Sequence, residues 1–274
     1  MSKRMRRSPL ILVGGLIVLV VVLVAILAPA LAPADPTAQH LGDRLLAPGV
    51  KGHPLGTDDF GRDLLSRIIF GARISLEVGV VSVGIGVVLG AFLGVLAGYF
   101  TGWVDMVISR VVDVLMAFPS ILLALAIVAA MGSSLNNVMI AVGITTIPRF
   151  TRVVRGSVLV VRERTFVEAA QALGASSPRI LTRHILPNVL SPIIVMASTS
   201  VGSAILTEAA LSFLGLGVQP PTATWGSIIT DGKQYLDIAP WIASLAGLAT
   251  MVAVLGFNLL GDGVRDVVDP KLKV

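Results

Sequence analysis

The chain has 274 residues, of which 55% are hydrophobic, only 14% are charged and 28 are glycine; soluble domains carry about 25% charged residues, so a water-soluble globule is excluded. Lys and Arg exceed Asp and Glu by +5, but the surplus is gathered in a few clusters, which suits membrane lipid and topology and argues against a nucleic-acid partner. With 0 cysteines, disulfides, thiolate metal sites and cysteine nucleophiles are excluded too.

In chain order, residues 1–32 read as a basic tail bearing Lys3, Arg4, Arg6 and Arg7, followed by a first transmembrane helix in the charge-free run Leu10–Ala28. At 1.5 Å per residue that run covers roughly 28 Å, close to the hydrocarbon thickness. The competing reading is a signal peptide cut after Ala30-Leu31-Ala32. It is disfavoured because the apolar run exceeds an ordinary h-region, Pro33 would follow the cut, and more apolar segments come after. Residues 33–73 are polar and rich in turn residues. Within them Phe60, Leu64, Leu65, Ile68 and Ile69 recur at helical spacing, with Arg62, Asp63, Ser66 and Arg67 on the other side, which predicts an amphipathic helix lying at the membrane interface.

Residues 74–262 are expected to form a five-helix core. The runs Val78–Gly98, Val114–Met131, Ile185–Thr207 and Ile238–Gly261 carry no charge and are long enough to cross. A further run, Leu135–Pro148, is short and must borrow residues up to Arg155, whose neighbouring arginines would snorkel. The segment 161–187 is too polar to cross. The segment 215–239 holds Pro220-Pro221, and Trp225, Tyr235 and Trp241 are expected at the headgroup level. Residues 263–274 form a tail. The fold class is thus an all-α membrane protein with six transmembrane helices. A cytoplasmic N-terminus leaves only Arg44, Lys51, Arg62, Arg67, Arg73 and Lys233 outside, with the Arg149–Arg183 cluster, Arg110, Arg265, Lys271 and Lys273 inside, the distribution the positive-inside rule favours.

Several patterns bear on function. Gly86, Gly90, Gly94 and Gly98 share one face of the second span, with Ser82 before them; such a small-residue face lets another helix backbone approach closely, and helix packing is its expected role, with a gating hinge as the second reading. Between the fourth and fifth spans, Thr165 and Glu168 fit a capping box, Gly174 suits a left-handed helix end, and Ser177-Pro178 fits a second helix start. Helix, elbow, helix on the cytoplasmic face makes a stiff knob; the competing reading is a basic loop that serves topology alone. His53, Asp58, Asp59 and Asp63 could be drawn as a cation site, but helix capping by Asp58 or Asp59 and pairing of Asp63 with Arg62 or Arg67 is the simpler expectation, and no metal is assigned. Glu208 in the fifth span is costly in lipid and should face the bundle interior, either along the translocation pathway or gate, or as a structural hydrogen-bonding group. Arg110 and Asp113 are expected to neutralise each other.

Glu168-Ala169-Ala170, Gly174 and Leu186-Pro187 resemble, in residue type and spacing, the EAA loop of ABC-importer permeases. His184 departs from the aliphatic residue usual there, but His184-Ile185-Leu186-Pro187-Asn188 is similar to the peptide and nickel branch. So are the segments His53–Asp63, Gly71–Leu76 and Glu208–Gly217. Together they resemble the C-type permease subunit of dipeptide, oligopeptide and nickel importers. The resemblance implies a type I importer permease in the inner membrane that pairs with a homologous B-type permease. It would sit on two cytoplasmic ABC ATPase subunits and receive substrate from an extracytoplasmic substrate-binding protein. Glu168, Ala169, Ala170, Gly174, Ser177 and Pro178 would couple to the ATPases, which bind MgATP. No cofactor is expected on this chain and no residue is assigned as catalytic: Gly232-Lys233 lacks the rest of a P-loop, and no H-E-x-x-H or G-x-S-x-G occurs. A nickel, glutathione or other small-solute importer is the alternative within the family. Outside it stand a self-contained secondary transporter, which would need buried ionisable groups beyond Glu208, and a purely structural subunit.

Overall fold

In lipid each backbone amide and carbonyl must be satisfied within the protein, and a helix does this within one segment. The computed structural model describes residues 9–268 and is helical apart from turns, with an isolated bridge between Thr57 and Asp63. Lys3, Arg4, Arg6, Arg7, Lys271 and Lys273 lie outside the described residues. Besides a single helical turn at Ala28–Leu31 and three short 3-10 turns, the helices are α1 (Pro9–Ile26), α2 (Leu64–Phe100), α3 (Gly102–Met116), α4 (Ser120–Met131), α5 (Leu135–Arg162), α6 (Thr165–Ala172), α7 (Ser177–Ile180), α8 (Leu186–Phe213), α9 (Trp225–Gly232) and α10 (Trp241–Val268). A π-helical turn, Leu181–Ile185, carries α7 into α8 without a break.

Among the described residues 4 helical runs are long and apolar enough to cross a membrane: α1, α2, the run from Ser177 to Phe213, and α10. A fifth is added if α3 and α4 count as one span, and these two are bent by 89°. The charge-free run Val114–Met131 is therefore not one straight helix. Pro119 offers no N–H and disfavours helical geometry at Phe118, so the helix stops and restarts there. The sixth candidate, α5, has 28 residues, about 42 Å, which is ample to cross, but its arginines keep it from reading as an apolar span.

The glycine ladder explains the closest packing in the bundle. Gly86, Gly90, Gly94 and Gly98 are all buried. A Cβ on Gly90 would lie 2.5 Å from Phe150 Cβ, one on Gly94 2.7 Å from the Thr151 carbonyl oxygen, and one on Gly98 2.8 Å from Val158 Cβ, while one on Gly86 would collide with Thr146. Both helices advance together through these contacts, so α2 and α5 run parallel. Ser82 Oγ adds a 2.9 Å hydrogen bond to the Met139 carbonyl in the same seam. On the other flank Gly14 meets Leu259 and Leu260, Gly256 meets Ile17 and Gly263 meets Ile11, so α1 and α10 are antiparallel.

The two ends of the bundle have separate cores. Val154, Val158, Val167, Ile180, Ile185, Val189 and Ile193 pack together where α2 ends near Tyr99. Leu64, Ala223, Ile228, Ala239, Ile242 and Ala246 pack where α2 begins. At this second end the expected interfacial helix is instead the first turns of α2. Arg62 and Arg67 are 3% and 2% exposed, so its polar side faces protein rather than water. Trp225 is likewise 3% exposed, so its ring packs against protein rather than among lipid headgroups; its indole N–H donates to the Ile68 carbonyl at 3.0 Å.

Candidate functional site

The elbow after α5 is held by backbone geometry. Gly174 has φ +77, its N–H donates to the Gln171 carbonyl at 2.9 Å, and the Ala175 N–H donates to the Ala170 carbonyl at 3.0 Å. These two bonds form a Schellman motif that ends α6 at the expected glycine. The helix starts differ from expectation. Arg164, not Thr165, occupies the N-cap of α6 with no side-chain bond, so the Thr165–Glu168 capping box is not made; Glu168 still lies in the first turn, where its charge favours the helix dipole. Ser177 is the first residue of α7 rather than its cap, and Pro178 follows it. Each shift is one residue and arises because the preceding extended residues, Arg164 and Ser176, already turn the chain into the helix.

Two apolar residues pin the elbow to the bundle: Val167 and Ile180, 0% and 1% exposed. Glu168, Ala169, Gly174 and Pro178 are exposed, Ala170 and Ser177 half-buried, and Leu173 projects 88% exposed at the tip. The result is a knob of small side chains with one apolar point, joined rigidly to α8 through α7 and the π-turn.

At the opposite end, Glu208 is fully buried. Its Oε1 accepts from Ser212 Oγ at 2.8 Å and from Thr224 Oγ1 at 2.9 Å, while Oε2 has no partner among the described residues. Thr224 is the N-cap of α9 in a reciprocal capping box with Ser227, so Glu208 ties α8 to a helix the sequence reading did not anticipate. Nearby, Asp63 caps α2, accepting from the Ser66 N–H and Oγ, both at 2.8 Å, and pairs with His53 Nδ1 at 2.8 Å rather than with an arginine. Asp58 takes the arginines instead, Arg62 Nε at 2.6 Å and Arg67 Nε at 3.2 Å, and Asp231 of α9 lies 3.5 Å from Arg67. Burial, then repulsion from Asp58, holds the Asp59 carboxyl above its ordinary pKa. Burial does the same to Asp231, with Arg67 and Arg62 opposing it. Among the described residues no group of His, Asp and Glu is disposed to hold a metal ion.

The expected Arg110–Asp113 pair is replaced by contacts between helices: Asp113 pairs with Arg152 at 2.8 Å, and Asp105 with Arg155 at 2.5 Å. Helical spacing alone gave no sign of these partners. A groove between α4, α5 and α8, with Ser120, Thr145, Thr146, Arg149, Ser200 and Ser203 in its wall, was also not foreseen.

Residues 90–274 match the family of binding-protein-dependent transport system inner membrane components, and residues 1–48 match the N-terminal TM domain of oligopeptide transport permease C. The chain is 47% identical over 271 residues to the dipeptide transport system permease protein DppC of Alkalihalophilus pseudofirmus, covering 99% of this chain and 89% of that one. It is 48% identical over 271 residues to the glutathione transport system permease protein GsiD of Pectobacterium atrosepticum, covering 99% and 90%. The fold is similar to that of the MetNI methionine ABC transporter in an inward-facing conformation, with TM-score 0.63 at 19% identity over 75% of this chain and 98% of that one. It is also similar to an amino acid ABC transporter, with TM-score 0.52 at 18% identity, covering 72% and 94%. Since the family match spans more than half of the chain and such relatives cover nearly all of it, the protein belongs to the binding-protein-dependent transport system inner membrane components, multi-pass permease subunits of ABC importers rather than enzymes.

Proposed function

We propose that this chain forms, with a homologous B-type permease, the pathway for ATP-driven uptake of dipeptides and oligopeptides. Two cytoplasmic ABC ATPases bind and hydrolyse MgATP beneath it, and an extracytoplasmic binding protein delivers the substrate. The chain crosses six times with its N-terminus in the cytoplasm. The parallel alignment of α2 and α5 supports this count, because the intervening α3 and α4 must return across the bundle.

The observation that carries the reading is the elbow: exposed at Glu168, Ala169 and Gly174, pinned by Val167 and Ile180, and continuous with α8. Seated in a groove of an ATPase, such a knob moves as a rigid body when the ATPases close, and α8 carries the displacement into the bundle. The free-energy difference between the two states comes from nucleotide held by the partners. Glutathione, itself a tripeptide, stays within the proposed substrate class, and the name of one relative favours it.

Reconstitution in vesicles, with and without the ATPases and binding protein, tests the reading. Peptide uptake is expected only with both partners and ATP. Uptake by this chain alone without ATP would replace the reading with a secondary transporter. Binding-protein affinities for peptides, glutathione and nickel complexes then fix the substrate.

A further inference from the structure

The groove between α4, α5 and α8 contains one arginine whose position needs explaining. The α2–α5 register places Gly90 against Ile147 and Phe150, so Arg149 stands level with the centre of the charge-free run Val78–Gly98 and midway along α5. An arginine at that depth does not face lipid tails; it lines water or meets a partner. The other arginines of this helix are engaged: Arg152 with Asp113, Arg155 with Asp105, and Arg162 with the Tyr99 carbonyl. Arg149 is exposed and, among the described residues, has no ion pair or hydrogen bond.

Its neighbours in the groove include a strip of hydroxyls beside the apolar Val142, Phe150, Met196 and Ala204. Thr145 and Thr146 spend their protons on the Val142 and Gly143 carbonyls, both at 2.7 Å, which leaves lone pairs to accept from a ligand N–H. Ser200 and Ser203 come from α8 and Ser120 from the start of α4, so three helices contribute polar side chains to the groove that Arg149 lines. Hydroxyls of this kind also serve helix packing; the unpaired guanidinium beside them is what points to a ligand.

We propose that this groove is the chain's half of a substrate site inside the permease, with Arg149 pairing the terminal carboxylate of a passing peptide while the hydroxyls take its amide groups. A guanidinium meets a carboxylate in a bidentate fork, and amide recognition by hydroxyls is indifferent to side-chain identity, as a general peptide pathway requires. The inference rests on the peptide-permease reading above and adds a residue and a ligand group to it.

The test uses the full complex in vesicles and compares a dipeptide with its C-terminal amide, each saturating the binding protein. Uptake per ATP hydrolysed is measured for wild type, Arg149→Gln and Arg149→Lys. Wild type should carry the free acid faster than the amide. In R149Q uptake of the acid should fall roughly tenfold, the scale of a lost charged hydrogen bond, to the rate of the amide, and R149K should restore part of the preference. All three proteins should co-purify with the B-type subunit. Equal losses for acid and amide, an unchanged preference in R149Q, no preference in wild type, or loss of the B-type subunit would each overturn the assignment, the last by making Arg149 a subunit contact. Absence of any ATP-driven peptide uptake by wild type is a separate result that removes the peptide reading and this inference with it.

Discussion

Gly90 shows how much one missing methyl sets in this bundle. Alanine favours a helix interior over glycine by about 1 kcal/mol, yet at Gly90 its Cβ would lie 2.5 Å from Phe150 Cβ and 2.8 Å from the Ile147 carbonyl oxygen. Backbone cannot yield cheaply, and overpacking of this kind costs about 1–3 kcal/mol. Gly90→Ala should therefore lower the melting temperature of the purified complex. Gly84→Ala, on the same helix with nothing within 4 Å of its Cβ, should leave it unchanged or raise it; equal effects would refute the seam. A second residue-scale prediction concerns Asp59, whose folded pKa is raised by burial and by Asp58. A carboxyl with a raised folded pKa binds its proton more tightly folded than unfolded. Its contribution to stability is therefore fully present below the unfolded value and is lost as pH rises through the folded one. Asp59→Asn should melt higher than wild type at neutral pH, and the gap should close as pH drops into the ordinary carboxylate range. A gap that widens on acidification would contradict the sign.

At the scale of elements, the elbow separates backbone shape from surface chemistry. Gly174 sits at φ +77 with open space where a Cβ would go, so Gly174→Val causes no collision but strains a left-handed residue by roughly 1–2 kcal/mol. The expected result is a protein that inserts and co-purifies normally while uptake per ATP hydrolysed falls several-fold; unchanged coupling would remove the elbow from the mechanism. The glycine and its turn were legible in the sequence because a left-handed helix end has a local signature. So was the ladder of Gly86, Gly90, Gly94 and Gly98, since four-residue spacing places one face toward a neighbour. The break at Pro119 escaped a reading by hydropathy, which registers length and charge but not direction. Helix α9 and the burial of Trp225 escaped because they depend on contacts remote in sequence, with Ile68, Ser75 and Glu208. Arg62 and Arg67 were placed on a wet face because Asp231 is brought to them only by the fold, while Asp58, four residues before Arg62, faces them through the turn that precedes α2.

For the whole molecule, helix directions and charge must agree. The packing of α2 with α5 is parallel, that of α1 with α10 antiparallel, and Gly202 and Gly261 meet Val254 and Thr199 in an antiparallel pairing of α8 with α10. Six alternating crossings satisfy all three, but so does the same bundle turned upside down, and only charge chooses between them. At the end of the bundle where α2 begins, Arg62 and Arg67 are buried against Asp58 and Asp231, which reduces the free positive charge there. The elbow end carries exposed Arg164, Arg179 and Arg183. The positive-inside rule therefore favours the proposed orientation, with the elbow in the cytoplasm. Because the chain has 0 cysteines, single substitutions read this without background. Leu173→Cys at the elbow tip and Val50→Cys in the segment before α2 are exposed positions, at 88% and 39%. A membrane-impermeant thiol reagent should label V50C in intact cells and L173C only after permeabilisation. The reverse pattern would invert the bundle and place the elbow beyond reach of any cytoplasmic ATPase, while labelling of both from outside would mean that the chain between them crosses an even number of times, against the three crossings proposed for α2, α3–α4 and α5.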